Sequence, residues 1–149
     1  MQKISIMCLF CDFISGERKE HINGFPFEIL NETKHCISFL SIDLPKRVDG
    51  HILVIPKKHF SDIDDMPKDI LGDLMYHTAK AAKALKRKYP ASNIFLNNGG
   101  WAGQTVPHVH FHVLPRINGD NAKFEIWDRK KMKKEEFQNL SSKLKKHFD

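Results

Sequence analysis

The segment His108-Val109-His110-Phe111-His112-Val113-Leu114 restricts this chain more than any other. Its β-branched and aromatic residues favour an extended strand, and side chains along a strand alternate between faces. Val109, Phe111 and Val113 are then expected to point into a core. His108, His110 and His112 point the other way, in a row. Packing alone gives no reason to line up three imidazoles. The chain therefore needs a sheet with one face given over to histidine chemistry.

Two chemistries compete for such a row. Histidines two apart can share a metal ion, but His108 and His112 would lie ~13 Å apart at ~3.3 Å per residue. Zinc takes its nitrogens at about 2.0–2.1 Å, so one ion cannot bind all three. Nucleophilic catalysis fits better. A neutral imidazole attacks through one nitrogen while an acceptor holds the other N–H, fixing tautomer and aim. The middle ring, His110, is the expected nucleophile, and His112 is placed to donate to a phosphate oxygen. The glycine-rich loop Asn98–Thr105 just upstream offers backbone N–H groups, an amide at Gln104 and a hydroxyl at Thr105. Such donors suit an anion and its developing charge.

The remaining pattern predicts strands over Phe25–Leu30, Lys34–Ile42, His51–Ile55, Asn93–Asn97 and His108–Leu114, with a turn at Asn31-Glu32-Thr33. A wide apolar stripe (Ile70, Leu74, Ala81, Leu85, with Leu71, Met75, Thr78 and Ala82) predicts a helix from about Pro67 to Tyr89. Asp64 and Asp65 are its capping candidates, and Pro90 stops it. Phe137, Leu140, Leu144 and Phe148 predict a second amphipathic helix from about Lys131 to Phe148, basic on its outer face. Hairpin-like connections imply an α+β fold with an antiparallel sheet.

The 149 residues suit one domain, residues 1–149. No apolar run is long enough to span a membrane, and the stretch from Met1 to Met7 is too short for a secretory signal. A cytoplasmic protein is expected. Three cysteines (Cys8, Cys11, Cys36) argue against a disulfide framework. Cys36 lies in an apolar run and reads as a buried thiol. Cys8 and Cys11 leave three options open: a redox pair, ordinary thiols, or half a metal site. Residues 128–149 carry eight Lys or Arg against four acids. This reads first as a solvated helix face, then as a field for anionic substrates. Nucleic-acid binding ranks last, because no aromatic residues interleave with the basic ones.

The block Asn97-Asn98-Gly99-Gly100-Trp101-Ala102-Gly103-Gln104-Thr105-Val106-Pro107-His108-Val109-His110-Phe111-His112-Val113-Leu114-Pro115-Arg116 closely resembles the signature of the histidine triad (HIT) superfamily. His51-Ile52-Leu53-Val54-Ile55-Pro56-Lys57-Lys58-His59 resembles its second block. Cys8-Leu9-Phe10-Cys11-Asp12-Phe13-Ile14 resembles the start of its zinc-bearing members. The likeness covers about residues 8–116.

The resemblance implies a five-stranded antiparallel sheet with one long helix, usually in a homodimer. It implies a purine nucleotide substrate: a nucleoside phosphoramidate or a dinucleoside polyphosphate, as in the Hint and Fhit branches. His110 would attack the α-phosphorus to give a nucleotidyl-histidine, which water hydrolyses, with no metal in the chemistry. His112 would hold a phosphate oxygen and His51 would lie behind the triad. Asn97, Gly103, Gln104 and Thr105 match phosphate-contacting positions, and Asp43 the ribose acid. Leu9, Phe10, Phe13 and Leu44 are candidates for the base pocket, with core packing as the other role. A structural zinc would take Cys8, Cys11, His59 and His108. The segment Ile117–Asp128 has no tyrosine, unlike the branch that cleaves diadenosine triphosphate, and the basic helical C-terminus differs from the phosphoramidase tail. Two rival functions are a nucleotide-binding adaptor with little turnover and a nucleic-acid repair module.

Overall fold

The computed structural model describes residues 8–124 and 126–148; the N-terminal reading over Met1–Met7 lies outside them. A five-stranded antiparallel sheet organises the chain. Its strands are β1 (Ile29–Glu32), β2 (Cys36–Leu40), β3 (Ile52–Pro56), β4 (Ala91–Leu96) and β5 (Phe111–Arg116), in the order β1-β2-β3-β5-β4. Three α-helices accompany it among the described residues: α1 (Leu9–Ser15), α2 (Lys68–Leu85) and α3 (Lys134–Lys145). No described helix is long and apolar enough to cross a membrane.

Strand alternation divides the core in two. Cys36, Ile52, Val54, Phe111 and Val113 face α2, joined by Leu74 and Ala81 from its buried stripe. Ile37, Phe39, Leu53 and Ile55 face the other way, against Phe10 and Phe13 of α1. That second face carries the site. The α1 helix was not expected from the sequence. Seven residues are too few to form a stable helix alone. Its buried Phe10 and Phe13 hold it down, and Gly16 ends it at φ 78°.

Several boundaries move, each for a visible reason. The expected first strand, Phe25–Leu30, begins only at Ile29, because Phe27 turns inward to stack on Phe13 at 4.2 Å. The first hairpin turns after Glu32, at Thr33–His35, not at Asn31–Thr33. The Thr33 hydroxyl donates to Asp73 Oδ2 at 2.7 Å, and the Thr33 N–H donates to the Cys36 carbonyl at 2.9 Å, which fixes the turn there. The long helix ends at Leu85, short of Tyr89, whose hydroxyl accepts the Asp49 N–H at 2.7 Å. Asp64 and Asp65 lie in a separate 3-10 turn and do not cap α2. Met75 of the predicted stripe is exposed. The α3 helix forms near its predicted place, but Phe137, Leu140 and Leu144 remain exposed instead of burying an apolar face.

The histidine segment changes most. Only His112 lies in β5; His108 and His110 lead into it. The β3–β5 ladder pairs Val54 with Phe111 and goes no further. Beyond it β3 reaches Pro56, which has no N–H to give. The Pro56 carbonyl instead accepts the His108 side chain at 2.8 Å, and the Val109 N–H bonds to Phe60 O at 2.7 Å. Alternation survives even so: Val109, Phe111 and Val113 all enter the α2 core.

His77 of α2 is fully buried and was not singled out by the apolar pattern. It lies against the Thr33 hydroxyl at 3.3 Å and the Ser38 hydroxyl at 3.1 Å, pinning α2 to the first hairpin. Burial lowers its pKa below the ordinary 6.5. Folded His77 therefore binds fewer protons than unfolded His77 between those two values. Its contribution to stability is full above about 6.5 and declines as pH falls toward the folded value. The urea midpoint should drop between pH 7 and 5.5, and His77→Gln should shrink that drop. An unchanged pH slope in the variant would contradict this role.

Candidate active site and metal centre

Two sites meet at the lead into β5. The first is a cluster of sulfur and nitrogen. Cys8 precedes α1 and Cys11 sits on its first turn. His59 follows β3, and His108 is pulled over by its bond to Pro56. One donor atom from each of the four lies within 4.8 Å of all the others. His108 Nδ1 is 3.6 Å from both sulfurs, and His59 Nδ1 is 3.3 Å from Cys11 Sγ. Tetrahedral bonds of about 2.3 Å to sulfur and 2.0–2.1 Å to nitrogen require S···N separations of about 3.6 Å.

The outer contacts suit a metal equally well. His108 donates its Nε2–H to Pro56 O, and His59 Nε2 lies 3.3 Å from the Ser61 hydroxyl. Both rings thereby keep Nδ1 turned toward the thiols, the arrangement that fixed metal ligands need. Burial, reinforced by Cys8, pushes the Cys11 thiol up to about 12. Two thiolates would coexist there only beside a cation. The four residues form a possible metal site of the Cys2His2 type.

The second site is a row of three rings along a cavity of about 200 Å³. His110 Nδ1 donates to the carbonyl of His108 at 2.7 Å. A carbonyl only accepts, so the proton is on Nδ1 and Nε2 keeps its lone pair. Burial lowers the His110 pKa, which keeps the ring neutral. His51 Nδ1 donates to Asp43 O at 2.6 Å, so its Nε2 accepts from His112 Nδ1 at 3.0 Å. His112 is thereby left with a buried Nε2 that has no partner among the described residues. Burial, with His110 and His51 adding to it, lowers the His112 pKa to about 3.

The expected ligand-contacting residues divide. Leu9, Phe10, Phe13, Asp43, His51, Thr105, His110 and His112 line the cavity. Leu44 lines a neighbouring one, of about 290 Å³. Asn97, Gly103 and Gln104 line neither. The Gln104 amide is already engaged: Oε1 accepts the Gly99 N–H at 2.8 Å and Nε2 donates to Ser61 O at 3.0 Å. It closes the glycine loop and ties it to the segment after β3. Gly103 has φ 91° and lies near Asn97, whose Nδ2 would be 3.6 Å from an added Cβ.

Three residues at the site were not anticipated. Phe95 stacks on His112 at 4.4 Å and 3° between planes. It is the cross-strand partner of His112, a relation that only the β4–β5 register exposes. Ser61 supports His59 and also lies 3.3 Å from Pro107 O. His21, on the loop between α1 and β1, lines both cavities.

The HIT domain matches residues 25–119. An uncharacterized HIT-like protein of Methanocaldococcus jannaschii is 42% identical over 115 residues, covering 76% of this chain and 82% of that protein. The adenosine 5'-monophosphoramidase of Schizosaccharomyces pombe is 32% identical over 143 residues, 93% of this chain and 98% of the enzyme. Among solved structures, a Zn-bound histidine triad family protein of Mycobacterium smegmatis superposes with a TM-score of 0.68. It is 31% identical and covers 95% of each chain.

The hydrogen bonds assign tautomers that can be read directly. Nitrogen-15 spectra at pH 7 should show His110 protonated on Nδ1 and bare on Nε2. A His110 proton on Nε2 would contradict the geometry.

Proposed function

The chain belongs to the HIT family, and on that premise we propose that it is a nucleotide hydrolase acting on a nucleoside phosphoramidate or a dinucleoside polyphosphate. The observation that carries this reading is the His110 ring: neutral, locked through Nδ1–H, with its Nε2 lone pair at a cavity. In the proposed reaction that lone pair attacks the α-phosphorus. The bond from phosphorus to the leaving group breaks, and the leaving group departs with the electron pair. Water then cleaves the phosphorus–nitrogen bond to His110 and releases the nucleoside monophosphate.

His112 holds a phosphate oxygen in this scheme, and its proton count follows from the relay. Its Nδ1–H is committed to His51, so Nε2 donates only when the ring takes a second proton. A bound phosphate raises the pKa of an adjacent imidazole and supplies the partner that the buried Nε2 lacks. His51 and the Asp43 carbonyl then stabilise the charged ring from behind. Thr105 and the Gly103 backbone are proposed to contact the phosphate, and the Asp43 carboxylate the ribose. Asn97 and Gln104 act in this reading by shaping the loop.

His110→Ala should lower kcat/KM for adenosine 5'-monophosphoramidate by about 10⁴-fold or more, since removing a nucleophile disables the whole mechanism. A loss under tenfold would sink the nucleophile role. Negligible turnover by the unmodified protein, together with tight nucleotide binding, would favour an adaptor.

The Cys2His2 cluster is proposed to hold one structural zinc. Its closed donor set leaves no position for water, so the metal would stabilise and not react. It would tie α1 to the segments after β3 and before β5. Metal analysis should find about one zinc per chain. Cys11→Ser should lose it and lower the Tm by about 10 °C or more, in line with removal of a structural metal. Retention of the full Tm without metal would refute the site. Free thiols and a thiolate metal site suit a cytoplasmic setting. Strand β4 is a sheet edge bearing the exposed Ile94, which favours a homodimer paired there.

A further inference from the structure

Between α1 and β1 the chain makes a tight excursion. Glu20 and Pro26 pair as an isolated bridge. Inside it the His21 N–H donates to Phe25 O at 2.7 Å, and the Gly24 N–H to His21 O at 2.9 Å. Gly24 takes φ 82°, which favours glycine. The loop exposes Ile22 and Phe25, yet turns His21 inward to 8% exposure. The His21 ring sits 5.2 Å from Phe13, 5.8 Å from Phe27 and 6.0 Å from Phe39.

Its ring makes no hydrogen bond among the described residues. The ring is buried as a whole, yet its nitrogens are not sealed from solvent, so a ligand in the cavity could supply a bond in place of water. The catalytic cavity holds about 200 Å³, below the roughly 300 Å³ where small-molecule pockets usually begin. The adjoining cavity adds about 290 Å³ and shares His21, Ser41 and Ile42 with it. The two cavities meet at this junction, so a ligand larger than the first would extend past His21. From His110 the path runs over Phe10 and Phe13 to His21. The other polar side chain there, Ser41, already accepts the Asp43 N–H at 3.1 Å.

We propose that His21 is a specificity-determining residue that reads the nucleobase, one ring nitrogen accepting a hydrogen bond from the exocyclic amine of a purine packed against Phe13. The inference rests on the nucleotide reading of the site. It adds a polar contact to walls that are otherwise chiefly apolar. Burial lowers the pKa of the ring, so it keeps the lone pair that the amine needs.

Calorimetry with AMP and with purine riboside 5'-monophosphate, which lacks the amine, tests it on the intact chain. The unmodified protein should bind AMP about tenfold more tightly, the worth of one hydrogen bond. His21→Phe should abolish that preference, read as the ratio of the two affinities, and His21→Gln should keep part of it. The His21 ring nitrogen-15 signal should move when AMP is added. No preference in the unmodified protein, or one that survives in His21→Phe, overturns the proposal. Adenosine phosphoramidate hydrolysis by the same proteins separates the two readings. Turnover with a His21-independent preference sinks this inference alone. A His21-dependent preference without turnover sinks the hydrolase alone. Failure to bind either nucleotide sinks both.

Discussion

His108 is gripped from both sides of its ring, and the rest of the site follows from that grip. Its Nε2–H reaches the Pro56 carbonyl where the β3–β5 ladder runs out, and its Nδ1 points at Cys8 and Cys11. The β3–β5 ladder stops at Val54, two residues short of Pro56, so the Pro56 carbonyl is open to the His108 ring. The lead into β5 is thereby drawn toward α1. The His108 carbonyl then faces the next histidine and takes its Nδ1–H. One ring in a thiol-rich cluster thus sets the tautomer of the ring two residues on.

Neutrality is the second organising constraint. The site gathers His51, His110 and His112 on a face covered by aromatic rings, and burial lowers the pKa of the last two. Keeping His110 and His112 neutral avoids repulsion between them and leaves a lone pair on His110. It also leaves the buried Nε2 of His112 unsatisfied. In the proposed reaction an anionic ligand would resolve that by drawing a proton onto His112, which lies between stacked Phe95 and the acceptor His51. Phe95 is in turn backed by Phe124 at 5.3 Å, over which Arg116 lies.

Period-two patterning in the sequence located the core side and the histidine side of 108–114, and both faces persist in the fold. It overestimated the strand, because a ladder's end depends on the partner, here Pro56. The long helix was legible from its apolar stripe, but its last turn was not, since Tyr89 leaves to bind Asp49. Motif resemblance anticipated the Cys8, Cys11, His59 and His108 cluster, which geometry brings together. It could not foresee that the Gln104 amide is occupied within its own loop. Nor could it find Phe95, whose place depends on strand register, or His21, whose loop has no periodicity. Short α1 escaped because its stability comes from packing Phe10 and Phe13, not from propensity.

In the proposed reaction His110 Nε2 bonds covalently to the substrate phosphorus during turnover. Rapid acid-free quenching of the protein with adenosine 5'-monophosphoramidate, followed by intact mass and peptide mapping, tests it most directly. A transient adduct with the mass of one adenylyl group, located on His110, is expected. Full turnover with no adduct at any time point, or an adduct on another residue, would contradict it.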